Sequence, residues 1–164
     1  MNFLLEWARW LQNTEFSLSI AESDWMFQTL ETVHVLAIAL VLGSIAMVDL
    51  RLLGYFARER SVTDLTRETL PWTWMAFVCA LISGAMLFAS KAVAYYENWP
   101  FRIKLLFLAL AGINMMFFHF NTYRSVGTWN VGTAPVSARF AGAMSLLVWV
   151  AIVTLGRWIG FTTK

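Results

Sequence analysis

An all-α integral membrane bundle of four helices is the fold class this sequence predicts, and three observations carry the prediction. Of 164 residues, 59% are hydrophobic and only 13% are charged, where soluble domains carry roughly 25% charged residues. Four segments reach or approach the ~20 apolar residues that a spanning helix needs; they run over 25–50, 72–94, 103–123 and 140–161. Aromatic residues crowd the segment ends, with Trp72, Trp74, Tyr95, Tyr96 and Trp99 standing where interfacial side chains belong. The stretch 105–123 holds no acidic or basic residue except His119, and 140–156 holds none.

The opening MNFLLEWARWLQN places Phe3, Trp7, Trp10 and Leu11 on one helical face, with Glu6, Arg9 and Gln12 turned away. That pattern predicts a short interfacial helix, within residues 1–20, lying in the headgroup plane. Packing of an ordinary amphipathic helix on neighbouring protein is the alternative. The first thirty residues lack a basic n-region, an uninterrupted apolar run and a small-residue cleavage site, so they do not read as a cleavable signal.

The first span ends at Asp49 and Arg51, and the loop after it carries Arg51, Arg58, Arg60 and Arg67, the densest cationic stretch of the chain. By the positive-inside rule this loop is cytoplasmic. Four spans then put both termini on the periplasmic side of a bacterial inner membrane. Pro71, Pro100 and Pro135 each stand just ahead of a span, where a missing N–H costs least. The first and third loops are long enough for short surface helices. Without repeats or low-complexity linkers, residues 1–164 read as one four-helix domain.

Composition also excludes classes of function. Cys79 is alone, which rules out an intrachain disulfide and a multi-cysteine metal site. A net charge of +2 spread over loops gives no nucleic-acid surface. No nucleophile–base constellation and no phosphate-binding loop is present.

Ionisable groups inside a lipid-spanning segment are costly and default to functional candidates. His34, in ETVHVLAIALVLGS, and His119, in INMMFFHFNTY, are the chain's two histidines. Imidazole is a common axial ligand of haem iron and helix bundles commonly hold haem, so both are candidate haem b ligands. Glu31, three residues before His34, is placed to accept the other ring N–H and fix its tautomer. Helical rise tests a shared iron. His34 precedes Asp49 by fifteen residues, roughly 22 Å, whereas His119 precedes Arg124 by five, about 7 Å. The imidazoles therefore differ in depth by ~15 Å, too far for one iron, and two haems at different depths fit better. At the level of His34 the second span offers Met86 as a sixth ligand, beside the small residues Ser83 and Gly84. Lys104 and Arg157 lie toward the same end, where haem propionates need cations. At the level of His119, Met144 and Met47 are within about a turn.

A histidine early in the first span (LETVHVLAIALVLGS), then DLRLLG, then FRIKLLFLALAGINMMFFHF opening the third span, resembles two kinds of small four-helix bacterial membrane protein. These are the CopD-type copper-resistance domain and the HemJ-type protoporphyrinogen oxidase. The HemJ resemblance implies roles in haem binding and activity for the first-span histidine and a third-span lysine, here His34 and Lys104. In that family a histidine stands nearer the lysine, where this chain has Asn114.

Three functions follow as expectations. The first is a b-type cytochrome that transfers electrons, exchanging them with a quinone or a periplasmic redox partner, with membrane oxidoreductase activity left open. The second is CopD-like copper transport, with His, Met and Cys79 lining a path for soft Cu(I). The third is a non-catalytic, homo-oligomeric scaffold whose histidines hydrogen-bond between helices, with Ala80 and Gly84 allowing close helix contact.

Overall fold

In a computed structural model that describes residues 3–162, the regular structure is all helical, with no strand among the described residues. Residues 1, 2, 163 and 164 of the expected domain, and with them Lys164 and the first two interfacial positions, lie outside the described residues. Two short helices come first, α1 (Phe3–Gln12) and α2 (Glu15–Glu22). Then follow α3 (Asp24–Leu53), α4 (Val62–Ser90), the short α5 (Ala92–Glu97), α6 (Trp99–Phe117) and α7 (Val136–Thr162). A π turn at Phe118–Thr122 and a 3₁₀ turn at Tyr123–Thr128 extend α6 into the third loop. Four of these helical runs are long and apolar enough to cross a membrane, which makes the all-α four-helix bundle compatible with a multi-pass membrane protein.

Local chemistry sets the helix ends. Ser23 caps α3 by accepting from the Met26 N–H, and Gly54 closes it in the left-handed region at φ 82°. Ser61 caps α4 through the Asp64 N–H. Asn98 caps α6 through the Phe101 N–H, with Pro100 in the first turn. Pro100 and Pro135 thus precede or open their spans as expected, whereas Pro71 lies inside α4. Helix α4 begins nine residues earlier, at Val62, as a polar extension of the span. The carbonyl that Pro71 deprives of its helical partner belongs to Arg67, an exposed residue. The second span also stops earlier than 94, because Lys91 leaves helical geometry before α5 restarts at Ala92.

Helix α3 packs on α4 and α7, and α6 packs on α7 from outside, so that α6 buries none of its residues. Val41, Ala76, Val148, Trp149 and Ile152 form the central core. A second cluster, Leu52, Val62, Ala134 and Ala138, closes one end. Gly142 permits the close approach of α7 to α3 there, since an added Cβ would lie 3.2 Å from the Asp49 carbonyl. Large apolar side chains such as Leu36, Leu81, Leu106, Ile113 and Leu147 face outward along the four long helices. Such surfaces suit lipid rather than water.

The N-terminal helices fold back on the other end of the bundle. Ala8 is buried, Trp7 stacks on Phe88 at 6.3 Å, and Gln12 Oε1 accepts from the Val93 N–H. Gln12 therefore faces protein, contrary to the expected polar face, because α5 offers an N–H in its uncapped first turn. Phe3, Leu4 and Trp10 remain exposed beside it.

Candidate functional site

All four long helices bring a residue to one level of the bundle. His34 of α3 lies half-buried against α4, where Gly84 leaves just enough room: an added Cβ would stand 2.8 Å from the imidazole Cε1. His34 Nδ1 lies 3.0 Å from Ser83 Oγ. The Ser83 hydroxyl donates its own proton to the Cys79 carbonyl, at 2.7 Å. With that proton engaged, the hydroxyl can accept from a protonated Nδ1, and in that tautomer Nε2 carries the ring's lone pair. The Ala80 carbonyl is a further polar neighbour of the ring.

Lys104 enters from α6. Its Nζ packs against α7 at Gly156, where an added Cβ would lie 3.6 Å away, and its charge acts on the His34 ring. No carboxylate pairs with Lys104 among the described residues. Gly84 on α4 and Gly156 on α7 thus make space for an imidazole and an ammonium. A cation held this way suits an anionic group brought by a ligand.

Of the remaining candidates, two stay close to this layer and four do not join it. Met86 lines an open groove of about 340 Å³ with Trp25, Met26, Thr29 and Leu30, the last one helical turn before His34. Glu31 is exposed one turn from His34 and does not take the ring N–H, since Ser83 does. The Glu31 carboxylate instead acts on Tyr95 in α5, whose phenol is pushed up chiefly by burial and further by this charge. Arg157 is exposed with its guanidinium over the Phe161 ring, 5.0 Å from the centroid. His119 follows Lys104 by fifteen residues, about 22 Å along the helix. It is exposed, stacked on Tyr123 at 5.6 Å and set edge-on to Phe120. Met144 and Met47 are both exposed and face away from the core. Cys79 is exposed too, and among the described residues no three His, Cys, Asp or Glu side chains gather as a metal cluster.

At the far end the structure adds a residue whose work the sequence conceals. Arg51 is 1% exposed, and its guanidinium donates to the carbonyls of Arg60 (2.9 Å), Gly132 (3.2 Å) and Asn130 (3.4 Å). It ties the first loop to the third. Asp49, two residues earlier, is buried with a hydrogen bond from Ser145 and its Oδ2 unpartnered. Asn114 donates to the Ala141 carbonyl at 3.0 Å, a structural link between α6 and α7.

The fold and the His34–Lys104 layer define a four-helix, membrane-compatible scaffold with one polar level near an end. The chain belongs to a family of unknown function (DUF6644), whose model matches residues 10–162. No curated protein and no solved structure matches it.

Proposed function

We propose that this chain is a multi-pass protein of the bacterial inner membrane that binds haem b at a single site and works in electron transfer. One observation carries the reading: His34 Nδ1 stands 3.0 Å from Ser83 Oγ, at the level of a Lys104 ammonium that pairs with no carboxylate among the described residues. That donor set fits the group. An imidazole whose second nitrogen is hydrogen-bonded is the common form of an axial ligand.

In this reading His34 would hold the iron through a ring nitrogen, Lys104 would neutralise a propionate, and Met86, on the adjoining groove, would be the nearby soft side chain. Haem supplies one-electron chemistry when bound. The polypeptide orients the ring, compensates charge and excludes water through its apolar surroundings. The resemblance to HemJ-type proteins supports the same two positions, which this fold brings to one level. The exposed Cys79 and the dispersed methionines give less support to copper transport. Gly84 is taken up by the His34 ring, so the Ala80–Gly84 stripe gives less support to a homo-oligomeric contact there. A quinone or a periplasmic redox protein is the exchange partner of this reading, with both termini periplasmic and α1 resting at the lipid headgroups.

Haem content tests it. Detergent-purified protein from haem-replete cells is expected to carry one haem b per chain by pyridine haemochrome. Lys104→Met is expected to retain less haem through washing while still eluting as folded protein. Absence of haem from the wild-type protein overturns the reading, and two haems per chain overturn the single site.

A further inference from the structure

The Arg51 end of the bundle holds a second pocket, of about 290 Å³, lined by Leu52, Leu53, Arg58, Thr133 and Arg139 together with backbone at Gly54 and Gly132. We propose that it binds a phosphate group, presented in the membrane by the headgroup of an anionic phospholipid. The proposal rests on the membrane-spanning part of the reading above and not on haem.

Charge is the first argument. Two guanidiniums line the pocket and no Asp or Glu does. Arg58 Nε donates to the Gly54 carbonyl, which orients the group and leaves its terminal N–H donors to spare. The Arg139 side chain makes no hydrogen bond or ion pair among the described residues, and the residue is exposed. Planar guanidinium forks match the oxygens of a phosphate in pairs, a fit that ammonium groups lack.

The walls are built before any ligand arrives. Arg51 fastens the Arg60, Asn130 and Gly132 carbonyls, so the loop after α3 and the loop before α7 are held at fixed spacing. Asn130 adds to this, its carbonyl accepting from the Val62 N–H and its Oδ1 from the Thr63 N–H. Gly132 takes φ 106°, a backbone shape that other residues resist, and it forms part of the wall. Preorganisation of this kind lowers the ordering cost of binding.

Position selects the source of the phosphate. The pocket sits where α3 ends and α7 begins, with Leu52 and Leu53 as its apolar floor. That level is where the headgroups of a bilayer meet the ends of spanning helices, and basic pockets there recognise anionic lipid heads.

Thermal unfolding in a neutral detergent tests the proposal, with phosphatidylglycerol, phosphatidylcholine or inorganic phosphate added in turn. Wild type and Arg67→Gln, a surface variant outside the pocket, are expected to gain several degrees with phosphatidylglycerol and little with phosphatidylcholine. Arg139→Gln breaks no side-chain hydrogen bond or ion pair among the described residues and is expected to lose most of that gain; Arg58→Gln/Arg139→Gln is expected to lose all of it. If inorganic phosphate matches phosphatidylglycerol, the phosphate site stands and the lipid source is overturned. If Arg139→Gln gains as much as wild type, or if the two lipids act alike, the site itself is overturned.

Discussion

His34 Nδ1 and Ser83 Oγ stand 3.0 Å apart across the α3–α4 contact, and Ser83 spends its only proton on the Cys79 carbonyl. With that proton engaged, the serine is placed to accept from Nδ1 and so to favour one tautomer of the ring. Ser83→Ala removes this acceptor and lets the imidazole turn or exchange tautomers. Partners of this kind are worth ~10–100-fold in metal affinity when lost, and a loss in that range is expected for haem. Haem titration of the stripped protein measures it; affinity unchanged from wild type would remove Ser83 from the site.

Gly84 makes a separate prediction from shape alone. A methyl at this position meets the His34 ring at 2.8 Å and must displace it, whereas Gly112 on α6 has nothing within 4 Å. Gly84→Ala is expected to cost ~1–3 kcal/mol through overpacking. Gly112→Ala is expected to be neutral or to gain up to ~1 kcal/mol from helix propensity. Thermal unfolding of both variants in one detergent gives the comparison, and an equal response would mean that the ring is not seated on Gly84.

Arg51 is expected to matter for stability more than its place at a span end implies. Arg51→Gln strands the Arg60 and Gly132 carbonyls and takes a second donor from the Asn130 carbonyl, at a cost on the order of 3 kcal/mol. Arg51→Lys is not expected to rescue it, because one ammonium cannot reach three directions with a planar fork's geometry. A lowered unfolding temperature with faster protease cleavage within 130–135 is the expected result for both. Wild-type behaviour of either variant would show that the loops are held by other means.

The bundle itself was legible because lipid imposes it: long charge-free runs such as 140–156 admit few alternatives to a spanning helix. The start of α4 was not, since residues 62–70 mix polar with apolar side chains and Pro71 reads as a boundary. His34 and Lys104 were visible as ionisable residues in apolar segments, and helical rise already separated His119 from His34. The level that His34 shares with Ser83 and Gly84 was legible too, with Lys104 toward the same end. The His34–Ser83 contact and the seat of Lys104 on Gly156 were hidden, because small residues reveal such contacts only when helices are paired in register. Arg51 was the reverse case. Its cationic position at a helix end is so ordinary in a membrane protein that nothing in the sequence marked it as buried.

Reduced-minus-oxidised visible spectra of wild type, His34→Ala and His119→Ala, purified in parallel, test the central claim most directly. The account predicts a b-type α-band in the wild-type protein, the same band at full intensity in His119→Ala, whose ring lies outside the bundle, and its loss in His34→Ala. An undiminished band in His34→Ala would contradict it.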